Sequence, residues 1–321
     1  MSGLSGHAPA WAEWRAALAG ARMHHAWILA GPQGVGKGAF ARAAAAELVG
    51  AGQTLRDNHP DILVPEHPPA TKDDEKKRDE GQPYAKKRSI PIDEIRRLQH
   101  RLTTRPTLGE RRCVIIDPAD DLEKNAVNAL LKSLEEPPVG TFFLLVTHRI
   151  GQLIPTIRSR CRILRFAPLA DGEVDAVLRA QAPQADAATR QAAIAAAHGS
   201  PGVALGFVEE ELAPIHGLMA RIAAEGDPAL ALRGALAEEL GARPSRERVA
   251  AMLEIARAVL AGRLRAASPA LQARIIEAHS ALVRLARQAP TYNFDSGLLA
   301  MDIGALLACA AMPKEAPQGT V

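Results

Sequence analysis

The chain has 321 residues, long enough for two or three domains. Its apolar share is 47% with only 3% aromatic, which argues against an aromatic-rich sandwich and for helices packed through alanine and aliphatic side chains; a net charge of +3 is too small to imply nucleic-acid binding. The three cysteines, Cys113, Cys161 and Cys309, lie far apart without a C-x-x-C pair, so a disulfide framework or zinc site has no support and reduced thiols are expected.

Ala8 to Ala21, interrupted by Glu13 and Arg15, reads as an amphipathic helix carrying Trp11, Trp14 and Leu18 inward. It is not a secretory signal, and no stretch is apolar enough to span a bilayer, so a soluble cytoplasmic protein is expected. Residues 26–29 form a short apolar run, followed by Gly31-Pro32-Gln33-Gly34-Val35-Gly36-Lys37-Gly38 and an alanine-rich helix from Lys37 to about Val49. Strand, glycine loop and helix are the context a phosphate loop requires. Ile62 to Val64 suggest a second strand. The proline-rich, mixed-charge segment 66–88 cannot bury a core and is expected to be an exposed, mobile insertion. Asp93 to Thr103 reads as a helix with Ile95, Leu98 and Leu102 on one face.

Cys113 to Ile116 is a buried-type strand ending at Asp117, and Lys124 to Glu136 is a helix stopped by Pro137-Pro138. Phe142 to Val146 is a further strand, ending at Thr147. Strands alternating with helices up to about Phe166 predict a parallel sheet covered on both faces. From Asp171 the pattern is helical: 171–182, 187–197, 201–210, 246–261, 270–288 and Ser296 to Ala311, with a tail that frays after Pro313. The predicted architecture is α/β plus all-α. Residues 1–166 form a nucleotide-binding-type domain, 167–208 a small helical lid, 209–312 a helical collar and 313–321 a tail.

The loop supplies backbone N–H groups at Gly31, Gly34 and Gly36, a helix N-terminus and the Lys37 ammonium, all suited to an anion. It fails at Gly38, where a serine or threonine hydroxyl would ligate Mg²⁺. Its two readings are a loop that holds ATP or ADP without hydrolysing it and a relic that holds nothing. Asp117 stands where a P-loop protein keeps its Walker-B aspartate, but Pro118 replaces the glutamate that would orient water. Asp120 and Asp121 read as N-terminal charge for the helix that follows. Thr147 is either a γ-phosphate sensor or a local cap. Among Arg158, Arg160 and Arg162, spacing does not separate a solvated edge from an arginine finger.

Three segments carry a specific resemblance: His25 to Pro32, Asn128 to Pro138 (N-A-L-L-K-S-L-E-E-P-P) and Ile157 to Cys161 (I-R-S-R-C). They resemble the bacterial clamp-loader family, AAA+ subunits of the DNA polymerase III holoenzyme, a DNA-directed DNA polymerase and so a nucleotidyltransferase. The likeness runs from about residue 20 to 166 and resumes at 199–204. It implies a AAA+ P-loop domain, a lid and a collar. It also implies that Arg160 reaches a neighbouring subunit's ATP, with Gly31, Gly34, Gly36, Lys37, Gly38, Asp117 and Thr147 forming a degenerate nucleotide site. Family ATPases carry a sensor arginine where this chain has Gly202. Hydroxyl, glutamate and sensor arginine would all serve the chain's own nucleotide. Their loss beside a retained Arg160 resembles the delta-prime branch, a non-hydrolysing stator, rather than gamma/tau. The alternative is a gamma/tau-type ATPase with a variant loop.

The resemblance further implies a hetero-pentamer with gamma/tau and delta subunits, acting on the sliding clamp and primer-template DNA and having no membrane contact. No cofactor is required. Many relatives carry a four-cysteine zinc module after the first helix, and segment 66–88 stands there without cysteine, so no zinc or other metal is expected. Arg96, Arg97, Arg101 and Arg105 could face DNA phosphate or be ordinary surface arginines.

Overall fold

The computed structural model describes residues 6–20, 22–50, 59–289 and 294–311. The chain divides into two compact units, Met1–Pro168 and Leu169–Val321. In the first unit, β1 (Ala26–Ala30), β2 (Ile62–Leu63), β3 (Arg112–Ile116), β4 (Thr141–Thr147) and β5 (Arg162–Arg165) form one parallel sheet in the order β2-β3-β4-β1-β5. The central strands carry continuous apolar runs, Ala26–Ala30, Cys113–Ile116 and Phe142–Val146, because helices cover both faces. Side chains alternate between two cores with the period of two that a strand imposes. Ala26, Ile28 and Ala30 of β1 join Val114 and Ile116 of β3 and Phe143 and Leu145 of β4 in one core. Trp27, Leu29, Cys113, Ile115, Leu144 and Val146 face the other.

Helices α1 (Ala8–Ala19) and α2 (Lys37–Val49) close the second face. Trp14 meets Trp27 edge-on at 5.5 Å and Phe40 at 6.4 Å, concentrating the chain's few aromatics at one point. Leu18 is only partly buried there. Helices α4 (Ile92–Leu102) and α5 (Lys124–Glu135) cover the opposite face through Ile95, Leu98, Leu102, Leu130 and Leu134.

The 66–88 segment is largely exposed and contains regular structure. It contains α3 (Lys72–Asp79), opened by a reciprocal capping box between Thr71 and Asp74. Asp74 is 7% exposed. Its carboxylate accepts from the Thr71 hydroxyl at 2.7 Å and N–H at 3.2 Å, and from the Ala85 N–H at 3.1 Å. Pro69 and Lys86 form an antiparallel bridge that closes the excursion. One buried carboxylate thus orders a segment whose composition, taken alone, reads as disordered.

Residues 155–165 hold a short helix, α6 (Pro155–Arg158), and then β5 on the sheet's edge. The second unit is helical throughout its described residues: α7 (Asp171–Gln181), α8 (Ala187–Ala197), α9 (Pro201–Glu209), α10 (Ala213–Glu225), α11 (Ala231–Leu240), α12 (Arg246–Leu264), α13 (Pro269–Gln288) and α14 (Ser296–Ala308). One buried core runs from Leu169 to Ala310, across position 208/209 where the sequence places a lid–collar boundary. The tail from 313 lies outside the described residues.

Candidate functional site

β1, β3 and β4 lie side by side and end at one edge of the sheet, the carboxyl edge where open α/β sheets bind ligands. The loop after β1, Asp117 after β3 and Thr147 at the end of β4 therefore converge. Gly34 and Gly36 have φ of 75° and 103°, a left-handed backbone that only glycine adopts without penalty. Gly36 is also the N-cap of α2, aiming that helix's N-terminus at the loop. The Gly31 N–H donates to the Thr147 carbonyl at 3.3 Å, joining loop and β4.

Gly38 and Asp117 are spatially coupled. A Cβ at position 38 would fall on Oδ2 of Asp117, so the aspartate leans into the space that a serine or threonine side chain would fill. Lys37 is 2% exposed, and its ammonium donates to the carbonyls of Gly31 at 2.7 Å and Pro32 at 2.5 Å. Burial pushes its pKa down to about 8, against the pull of Asp117 and Asp120.

Thr147 is fully buried and its hydroxyl donates to Asp120 Oδ1 at 2.7 Å. The His148 N–H donates to Asp120 Oδ2 at 2.6 Å. Asp120, read from the sequence as helix-end charge, instead clasps the end of β4. His148 had no sequence signal at all. Its Nδ1 is buried without a hydrogen-bond partner. Burial and Lys37 hold its pKa below the usual histidine range, with Asp120 and Asp117 opposing. His7 was equally silent, yet its Nε2 lies 2.7 Å from the Val35 carbonyl, so the ring rests on the loop. Gly202 lies in the first turn of α9.

Arg160 is placed at the other end of the sheet. Trp27 pairs with Arg162 and Ala30 with Arg165, and the Phe166 N–H reaches the Ala30 carbonyl at 2.8 Å. From Arg162 to Phe166 is four strand rises, about 13 Å, and Arg160 lies two residues further from the loop. Its guanidinium turns to Glu135, at the C-terminal end of α5, with Nη2 2.8 Å from Oε1. Arg160 thus lies at the opposite end of the strands from the loop after β1, and its side chain is 36% exposed. Arg162, by contrast, is engaged locally, 2.8 Å from Glu13 and 5.0 Å above the Trp27 ring.

Arg96 and Arg97 are exposed on α4 and paired with Asp93 at 3.4 Å and Glu94 at 2.8 Å. Arg101 reaches the Pro60 carbonyl at 3.4 Å, and the Arg105 side chain is exposed. Among the described residues no cluster of histidine, cysteine or acidic side chains could hold a metal ion, and no helix is long and apolar enough to cross a membrane.

A Pseudomonas aeruginosa protein named DNA polymerase III subunit delta' is 34% identical over 200 residues, 57% of this chain and 56% of that protein. An Escherichia coli K12 protein of the same name is 35% identical over 127 residues, 40% of this chain and 38% of the relative. The chain therefore matches little more than half the length of the first and less than half of the second. A Thermotoga maritima gamma subunit-related protein of known structure aligns with 93% of this chain and 98% of its own, at 18% identity and a TM-score of 0.48. The family described as DNA polymerase III, delta subunit, matches residues 6–170, from the start of α1 past the end of β5. That match takes in more than half of the sequence, and the chain belongs to this DNA polymerase III delta subunit family.

Proposed function

We propose that the chain is the delta-prime-type stator of a bacterial clamp loader, which hydrolyses no ATP itself and lends Arg160 to the ATP site of a neighbouring gamma/tau subunit. The observation that carries this reading is the position of Arg160 at the end of the sheet opposite the chain's own glycine loop, with its side chain partly exposed. A planar, permanently charged fork suits charge that develops on a transferring phosphoryl group. The loop supports the complementary half of the proposal: Asp117 leans into the place of the missing hydroxyl, and Pro118 offers no carboxylate for water. In this reading the subunit joins gamma/tau and delta subunits in a hetero-pentamer through its C-terminal helices. The assembly opens the sliding clamp and leaves it on primer-template DNA in the cytoplasm during replication. No metal is required, and ATP or ADP at the degenerate loop would be a spectator.

The test is a loader reconstituted with its cognate gamma/tau and delta subunits. An arginine finger contributes about three to five decades in rate in P-loop systems. Arg160→Ala should sharply depress DNA-stimulated ATP hydrolysis while the complex still assembles, and the chain by itself should hydrolyse essentially none. Undiminished turnover with Arg160→Ala refutes the finger, and turnover by the chain alone favours a gamma/tau-type ATPase.

A further inference from the structure

The contact that fixes Arg160 comes from the same chain. The Arg160 Nη2 lies 2.8 Å from Glu135 Oε1. Nη1 donates to the Thr156 carbonyl at 3.0 Å and lies 3.4 Å from the Ser159 hydroxyl. A guanidinium has five N–H donors in a rigid plane, so these contacts engage part of the fork and leave Nε–H and further Nη hydrogens outside them. The holder is itself held. Leu134, next to Glu135, has its carbonyl bound by His25 Nε2–H at 2.9 Å, and the Glu136 N–H closes the helix end on the Lys132 carbonyl at 3.0 Å. One turn earlier, the Gln99 amide donates to the Ala129 carbonyl at 2.8 Å and to the Ser133 hydroxyl at 3.2 Å. The last turn of α5 is thus tied to His25, just before β1, and to Gln99 of α4, which holds the backbone that carries Glu135.

We infer that Glu135 is a positioning residue, which orients the Arg160 guanidinium for a phosphate contributed by the neighbouring subunit; this rests on the proposal that Arg160 acts in trans. Stability does not account for the pair. Glu135 is 47% exposed, and ion pairs this open to water add little to folding. Orientation is a different matter, because a displacement of about 1 Å at a transition-state contact can cost on the order of a hundredfold in rate. A long arginine side chain without such an anchor would have to be ordered anew in each catalytic cycle. The opposite role, a carboxylate that competes with phosphate and restrains Arg160, predicts a change of opposite sign.

The experiment is steady-state ATP hydrolysis by the loader reconstituted with its cognate subunits, clamp and primed DNA. Glu135→Ala should lower kcat by about three- to tenfold, with KM for ATP and the assembled fraction unchanged. Glu135→Gln keeps an oxygen for Nη2 and should retain most of the rate. In an Arg160→Ala background, Glu135→Ala should cost nothing further, as two residues acting through one contact require. A Glu135→Ala loader at or above the wild-type rate, or an equal further loss beside Arg160→Ala, overturns the positioning role. If Arg160→Ala itself turns over normally, the trans reading fails instead, so the two failures are distinguishable.

Discussion

Lys37 makes the most quantitative test of the loop. Its ammonium is 2% exposed, and burial lowers its pKa from 10.5 to about 8. At about 1.36 kcal/mol per unit, keeping this group charged in the folded state costs about 3 kcal/mol. Below pH 8 folded and unfolded chains both carry the proton, and the full penalty applies. Between pH 8 and 10.5 the unfolded chain binds more protons, so stability must rise with pH and then level off. Lys37→Met removes the titration. It also leaves the Gly31 and Pro32 carbonyls without this donor, but that loss does not vary with pH, because neutral lysine donates as well. The assay is urea denaturation of both proteins from pH 7 to 10.5. The difference in unfolding free energy should move in favour of wild type by about 3 kcal/mol across the window. Parallel curves would show that the folded lysine titrates normally, which is incompatible with a buried, carbonyl-bound ammonium.

Asp61 and Asp74 give two further predictions. Asp61 is fully buried. Burial raises its pKa, but N–H bonds from Leu108 at 2.8 Å and Thr107 at 2.6 Å, with Arg112 at 3.6 Å, outweigh this and hold it below the usual range. Its stabilisation is therefore present above about pH 4 and lost as pH falls through the folded-state value. Asp61→Ala should cost about 3–5 kcal/mol by chemical denaturation at pH 7, since it removes the counter-charge of the buried Arg112, which keeps only the carbonyls of Arg101, Thr104 and Arg105; a cost under 1 kcal/mol would deny the pair its role. Asp74→Ala should loosen 66–88 without unfolding the unit, read as faster trypsin cleavage at Lys76, Lys77 and Arg78. Unchanged digestion would mean that the capping box does not hold the excursion.

Much of this fold was legible because its elements announce themselves locally. β1 and β3 are apolar runs between polar stops, and α2 and α8 begin and end where the sequence places them. The order in 66–88 was hidden because it depends on Asp74 reaching Ala85, eleven residues away, which no composition records. β5 was obscured by its own arginines, since Arg162 and Arg165 face outward from an edge strand and only Leu164 is buried. Helices α10 and α11 hide their apolar stripes among alanines and glycines, with Ile215, Met219 and Ile222 the buried anchors of the first.

The site was legible in its parts but not in its arrangement. Gly38 and Pro118 read from the sequence as separate losses, and Asp117 as a separate survivor. The structure makes Gly38 and Asp117 one feature, because the carboxylate stands where a side chain at 38 would have to be. A side chain at 38 would require the Asp117 carboxylate to swing aside, which the free end of a side chain can do. At the opposite edge, nothing local links Glu135 to Arg160, which are separated by β4 and α6 in the chain and by 2.8 Å in space. A parallel sheet brings both pairings about: it gathers the ends of β1, β3 and β4 at one edge, where the chain's own loop lies. It leaves the start of β5 and the end of α5 at the other, where Arg160 meets Glu135.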